Sequence, residues 1–554
     1  MNKFKLLFLV FAILYQTSVY SKTSEDLNFN PKYLSGYLSA LISYGNQNNE
    51  ESVKHFNSTK FLIDKHSGYL KDYIFALVLN GEIKKAIAQI KRNKNSNFFE
   101  SELLLIIDNF KKKNFKKNLI LLDNLKKFTN ENSFNFIIYE VLKSYNNLFL
   151  NKTISESNKN LGKLTNINKA MQYCYLNSSE TSLKFKDLTN FESGDYSRYI
   201  FFYLNYLINN NYIIEAKKIS NKINEIGSNL LITQAKNWIQ NSEYNKINEF
   251  FSCQNEADLV SEFFFLISNF YASEDDFEKS NFFVYISNYL NPKFYFNFTH
   301  LVENFFDNEK YELAKILLKS FNEDDEVYYW YRLKKLSQII SIKESPEKSL
   351  EFMEKNFKNY KDPSLKILLD MGNIYKRNKE FEKSIQLYSE VLSKLDQSSN
   401  VYAEVLYSRG GSYERIDDHI NSDKDLIESL NVRPNDPYVM NYLAYGWLER
   451  DYKIDEAIEM LDKAYKQKKN DPFIIDSVGW GYYLIKDFDN AERFLQRAIK
   501  LMPKDPIVND HYGDVLWKLD RKLQAKYYWE SALNSIESDD KLKKIIFNKL
   551  LKGL

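Results

Sequence analysis

Asp-Pro pairs at 436–437, 471–472 and 505–506 stand 35 and 34 residues apart. A chain that repeats at this interval builds one small unit many times and buries each copy against the next. Numbered from Pro472, position 4 of a unit is Ile475, positions 7 and 8 are Val478 and Gly479, and position 11 is Tyr482. Position 20 is Ala491, 24 is Leu495, 27 is Ala498 and 32 is Pro503. Spacings of three and four place the first group on one stripe of a first helix and the second group on one stripe of a second helix. Small residues at positions 8 and 20 mark the closest approach of the two helices. A bulky side chain at Gly479 or Ala491 would overpack them at about 1–3 kcal/mol. Proline near position 32 ends the second helix.

The same grammar recurs. The unit at Pro506 has Tyr512, Gly513, Leu516, Ala525, Trp529 and Ala532; the unit at Pro437 has Leu443, Ala444 and Trp447, then Ala457, Leu461 and Ala464 after a one-residue insertion. Units at Ala403 and Leu365 carry Gly410, Tyr413, Ser422 and Leu426, and Met371, Gly372, Tyr375, Ser384 and Tyr388. Weaker units start at Ser261, Tyr295 and about Trp330, giving eight starts spaced 34 to 38 residues apart. This is the tetratricopeptide pattern, with only its leading Trp replaced, by Ile in the Pro472 unit. It predicts an all-α fold, a right-handed superhelix of helical hairpins (an α-solenoid), with repeats over 261–539.

Residues 22–260 show the same hairpin texture without good motifs, as in Tyr37 to Phe56, Tyr73 to Ile90 and Phe201 to Ile219. They are expected to be divergent repeats of the same superhelix, joined by Asn-rich loops such as Asn151 to Asn168. The scarcity of Gly (15) and Pro (9) in 554 residues also favours helices over glycine-turn folds. Residues 540–554 form a basic amphipathic helix, with Leu542, Ile545, Ile546, Leu550 and Leu551 on one face, expected to cap the stack. A membrane-surface or partner-binding helix is the alternative.

Residues 1–21 read as a signal peptide: Lys3 and Lys5, then the apolar run Leu6 to Leu14, with Val19 and Ser21 before the cut. An uncleaved anchor is disfavoured because nine residues are too few to span a bilayer. Periplasmic localisation follows as an expectation. No cysteine follows the leader, so no lipid anchor is expected there. Cys174 and Cys253, the only two cysteines, are expected to be two small buried residues rather than a disulfide. Lys3 and Lys5 account for the formal net charge of +2, and a balanced chain offers no footprint for nucleic acid.

No chemistry emerges. The five histidines include no i, i+4 pair and the cysteines have no zinc spacing. There is no nucleophile elbow, phosphate loop or dinucleotide fingerprint. Gly410-Gly411 and Gly479-x-Gly481 fall inside first helices, where repeat packing explains one glycine of each pair. Asp476 and Asp510 hold the same place in adjacent repeats, which suits a polar groove lining better than a glycosidase acid pair. No catalytic residue, cofactor or metal is expected.

With positions 4, 7, 8 and 11 turned into the stack, positions 2, 5, 9 and 12 face a groove. These are Tyr438, Asn441, Tyr445 and Leu448; Phe473, Asp476, Trp480 and Tyr483; and Ile507, Asp510, Asp514 and Trp517. Aromatics flanked by Asn and Asp suit an extended peptide or a partner helix. The alternative is that these rings pack between neighbouring repeats.

The stretch from Asn435 to Leu533 resembles a proteobacterial family of exported tetratricopeptide proteins. NYLAYGWLER, the DSVGW of the next unit and DHYGDVLWKLDRKLQAKYYWESAL carry the likeness. Some members are outer-membrane lipoproteins that bind a periplasmic carboxy-terminal processing protease and present cell-wall hydrolases to it. The resemblance implies a non-enzymatic scaffold or adaptor whose partners are other proteins; this chain departs from it in lacking the lipid-modified cysteine. A superhelical peptidoglycan-active enzyme is disfavoured, since repeats run to about 539 and leave no room for a catalytic domain. A structural subunit of an envelope or secretion assembly is the third reading.

Overall fold

The computed structural model describes residues 31–554 apart from 67, 94–96, 156–160, 190–196, 225, 537 and 539. The expected signal peptide lies outside the described residues. All regular structure among the described residues is helical, with no strand. The fold is all-α and of tetratricopeptide-repeat type.

Two compact units divide the chain. One comprises residues up to Ala216 together with Ser242–Leu317; the other comprises Lys217–Asn241 together with Leu318–Leu554. Residue 260, where recognisable motifs begin, therefore falls inside the first unit.

In the second unit the hairpins follow one another: Glu326–Lys343 with Pro346–Phe357, Leu365–Arg377 with Phe381–Lys394, and Asn400–Arg415 with His419–Val432. Pro437–Glu449 then pairs with Ile454–Gln467, Pro472–Leu484 with Phe488–Leu501, and Pro506–Lys518 with Lys522–Leu533. The predicted small positions sit where the helices touch. A Cβ on Gly479 would lie 2.6 Å from Leu495, and one on Gly513 would lie 2.5 Å from Trp529. Ala457, Ala491 and Ala525 are fully buried opposite them.

The recurrent Asp-Pro pair has a local cause. Asp436, Asp471 and Asp505 are N-caps, each accepting two backbone N–H groups of the next turn, with Pro at the first helical position. The carboxylate satisfies orphan donors and faces the positive helix end, while Pro gives up an N–H that had no partner anyway.

The first unit uses the same hairpin with another core. Its pairs include Tyr69–Leu79 with Ile83–Arg92, Phe99–Lys111 with Phe115–Lys126, and Glu256–Ser273 with Phe277–Leu290. The last of these doubles back: Phe277–Leu290 packs on Tyr69–Leu79, and Glu256–Ser273 packs on Phe99–Lys111. Phe75 stacks on Phe282 at 4.7 Å across the first of these contacts, and Phe134, which opens the helix Phe134–Asn151, stacks on Phe270 at 4.3 Å. Arg198 binds Glu262 through two hydrogen bonds of 2.8 Å, donates to Asn297, and covers Phe265 at 3.9 Å.

Cys174 and Cys253 are bonded in a disulfide, contrary to the sequence expectation. Each is buried, as expected, but the first unit brings their Cα atoms to 5.8 Å, within bridging range. A sequence separation of 79 gave no hint of this contact.

Many hairpin turns in both units share one device. The residue two places beyond the first helix has positive φ: Gln47, Gly81, Lys113, Asn177 and Asp275 in the first unit, and Lys379, Asp417, Asp451, Lys486 and Asp520 in the second. The next N–H reaches back five residues, as in Glu82 to Leu77, Asp276 to Tyr271, Asp418 to Tyr413 and Asp487 to Tyr482. These are Schellman caps, which satisfy helix-end carbonyls and turn the chain into the second helix.

Candidate protein-binding site

Three successive first helices, Pro437–Glu449, Pro472–Leu484 and Pro506–Lys518, carry the residues predicted to line a groove. Their small eighth residues draw each hairpin tight and fix which stripe faces the core. The remaining stripes of adjacent first helices then meet side by side.

Position 2 is open in all three repeats. Tyr438 is 47% exposed, Phe473 62% and Ile507 40%. The Lys468 ammonium lies 5.7 Å above the Tyr438 ring. Asn441 is half-buried, and its side-chain oxygen has no hydrogen-bond partner. Tyr445 is half-buried beside it; burial, then Glu449 and Asp476, push its hydroxyl well above the usual tyrosine range.

The carboxylates correct the expectation of an open acidic lining. Asp476, Asp510 and Asp514 are all buried. His511 Nδ1 lies 3.1 Å from both oxygens of Asp476. Lys549 of the last helix, Asp540–Lys552, donates to Asp510 and Asp514 at 2.8–2.9 Å. Trp529 Nε1 donates to Asp514 at 2.9 Å. These groups form a compensated cluster, as buried charges must. Burial opposes a charge on His511, but Asp476, with Asp510 and Asp514 behind it, outweighs burial and raises its pKa. Burial and the neighbouring Asp510 raise Asp514 to about 6, against the pull of Lys549.

The aromatic steps pack between repeats and also face outward in part. Trp480 stacks on His511 of the next repeat at 4.1 Å and on Tyr483 at 4.7 Å, and its Nε1 donates to Glu449 of the preceding repeat at 2.6 Å. Trp517 lies 5.2 Å from Trp529 and beneath Gly553, whose backbone leaves no room for a Cβ against the indole. Leu448 is buried, not presented. The structure therefore brings Tyr445, Asp476, Trp480, Tyr483 and His511 into one contiguous patch. Asp510, Asp514 and Trp517 lie under the last helix, and Tyr438 and Phe473 stay exposed.

Sequence reading missed His511, Lys549 and Glu449. The available signal was the buried charge itself: an Asp at position 5 of one repeat needs a counter-ion from the repeat that follows. The last helix packs on the final repeat. Ile546 is fully buried and Leu542 and Leu550 pack on the final repeat, whereas Ile545 and Leu551, placed on the same face from sequence, are exposed. Among the described residues no group of three or more His, Cys, Asp or Glu is arranged to hold a metal, and no helix is long and apolar enough to cross a membrane.

No protein-family model matches the chain. A tetratricopeptide repeat-containing protein of Pseudomonas aeruginosa is 30% identical over 153 residues. The match takes in 28% of this chain and 25% of that protein, so the chain covers about a quarter of its relative's length. Among solved structures, a tetratricopeptide repeat protein from Parabacteroides merdae aligns with 47% of this chain and 99% of its own, at 16% identity and a TM-score of 0.39. A thermophilic tetratricopeptide protein of Thermus thermophilus aligns with 34% of this chain and 100% of its own, at 17% identity and a TM-score of 0.30.

Proposed function

We propose that the protein is an exported scaffold that captures other polypeptides on the first-helix row between Pro437 and Lys518. One observation carries this reading. Tyr438, Phe473 and Ile507 hold the same position in three successive repeats, and all stay in water at 47%, 62% and 40% exposure. Apolar side chains repeated at the period of the fold, yet left out of its core, are anchors for something outside it.

Export is supported by the leader-like first residues and by the Cys174–Cys253 disulfide, a bond that persists in oxidising compartments. The resemblance to protease adaptors names the partners to try first: a periplasmic carboxy-terminal processing protease and the envelope proteins it cleaves. In this reading the chain holds its partners and performs no reaction.

The test is a full-length protein with Tyr438, Phe473 and Ile507 all changed to Ser. Exposed positions of this kind change stability little. Cross-linked partners recovered from envelope extracts should disappear while the helical circular dichroism stays the same. Undiminished recovery by the triple variant would remove the row from consideration.

A further inference from the structure

Upstream in the second unit, the first helices Glu326–Lys343 and Leu365–Arg377 flank an open cavity of about 450 Å³. Its lining includes Lys334, Gln338, Asp370, Asn373, Lys376 and Arg377. Asp370 is the one carboxylate among these, and it is already engaged. Its Oδ2 accepts from Lys334 Nζ at 2.8 Å and from Trp330 Nε1 at 2.9 Å.

The other cations have no such partner. Lys376 Nζ donates only to the Ser408 carbonyl, at 3.1 Å, and no carboxylate pairs with Lys376 or Arg377 among the described residues. Burial, reinforced by Arg415, lowers the Lys376 pKa, while Glu414 pulls the other way. Gly411 on the following repeat makes room for this ammonium: a Cβ there would lie 2.9 Å from Nζ. That explains the second glycine of the Gly410-Gly411 pair, which packing within the hairpin does not need. Asn373 Oδ1 accepts from the Tyr388 hydroxyl at 2.7 Å, which leaves the amide NH2 to donate, and Gln338 is exposed beside it. The lining thus offers three cations and two amide donors against one satisfied carboxylate.

We infer that this cavity binds the carboxylate side chains of an acidic segment within a partner polypeptide. The inference rests on the reading that the chain captures polypeptides, and adds which chemistry is captured and where. The half-buried Lys376 ammonium gains more from a Glu or Asp partner than a water-exposed lysine would, and the exposed Arg377 guanidinium can hold a carboxylate through two parallel hydrogen bonds. The cavity is far larger than one carboxylate, so neighbouring acidic residues fit together.

The experiment uses the full-length protein and a short fluorescein-labelled peptide with a run of Glu between Gly-Ser flanks and an amidated end, read by fluorescence anisotropy. K376Q and R377Q should each weaken binding about tenfold. Added salt should weaken it further, and changing Lys541, Lys543 and Lys544 of the last helix to Gln should not. Equal affinity in K376Q and R377Q would overturn the assignment. So would binding confined to a neutral peptide with a free terminal carboxylate, since that marks a chain-end pocket. The variant with Ser at 438, 473 and 507 should keep full affinity for the acidic peptide. Failure of the cavity and failure of the apolar row are therefore read separately.

Discussion

In the first unit, the helix Tyr69–Leu79 buries Tyr69, Leu70, Tyr73, Ile74, Ala76, Leu77, Val78 and Leu79, side chains that point all round its axis. In the second, Ile454–Gln467 buries only Ala457, Leu461 and Ala464, a single stripe. A helix apolar on every side must be surrounded, so the Glu256–Leu290 hairpin folds back over the early helices. A helix apolar on one stripe needs only its own hairpin partner and one neighbour, so its repeats add in sequence. Yet both units turn their hairpins with the same left-handed residue and the same backward-reaching hydrogen bond. The hairpin is a local property of the backbone, and its division of labour is shared: first helices such as Tyr69–Leu79 and Pro506–Lys518 are covered all round, and second helices such as Ile83–Arg92 and Ile454–Gln467 bury one stripe; what differs is which segment supplies the cover.

The difference can be broken most forcefully at Arg198. Changing it to Ala leaves Glu262 buried without its partner, at about 3–5 kcal/mol. Hydrogen exchange should accelerate across the first unit, while the repeats beyond Leu365 stay protected; equal acceleration in both would mean that the units do not keep separate cores. Gly513→Ala attacks the other mode of packing. The added methyl meets Trp529, and chemical unfolding of the final repeats should weaken by about 1–3 kcal/mol. An Ala there that leaves the unfolding midpoint in place would show that the helix pair is looser than its geometry.

The shared turn is probed by a matched pair, Asp275→Gly and Asp417→Gly. Both residues hold positive φ, at 57° and 60°, where glycine relieves strain. Each change should stabilise its own unit by about 0.5–1 kcal/mol. A gain in only one would show that the turns differ after all.

The finest contrast lies between two histidines, read by the pH dependence of their ring NMR signals. Burial, with Arg198 nearby, holds His300 down at about 4, against a hydrogen bond at Ser268. Asp476 raises His511 above its ordinary value despite burial. A depressed pKa contributes stability that is present above the unfolded value and lost as pH falls through the folded one. A raised pKa contributes stability that is present at low pH and lost as pH rises through the folded one. Acidification from pH 7 toward 4 should therefore remove stability at His300 and strengthen the site of His511. His300 should stay neutral at pH 5, where His511 carries its proton. The reverse order would refute the assigned environments.

The repeat grammar made the second unit legible because each of its rules is local. Small residues at Gly479 and Ala491, the Asp-Pro cap and the terminating Pro503 all act within one hairpin. The same rules placed Tyr438, Phe473 and Ile507 correctly at exposed positions. They failed for Asp510 and Asp514, because a counter-ion from Lys549 lies outside the repeat that defines them. They failed also for Cys174 and Cys253, and for the return of the Glu256–Leu290 hairpin. Those contacts join segments with no periodic relation, so no spacing announces them. The cavity between Lys334 and Arg377 was hidden for a different reason: it opens at the unit from about Trp330, one of the weaker matches to the pattern, where the repeat positions do not single out its basic residues.

The bond between Cys174 and Cys253 closes a covalent ring, and the residues Lys217–Asn241 that belong to the second unit lie within it. A chain emerging from a ribosome or a translocation pore exposes that borrowed stretch before any of the residues at 318 and beyond that accompany it. Once the thiols are oxidised, one proteolytic nick between 217 and 241 no longer releases two fragments. The pieces on either side of such a nick part only after the bond is reduced.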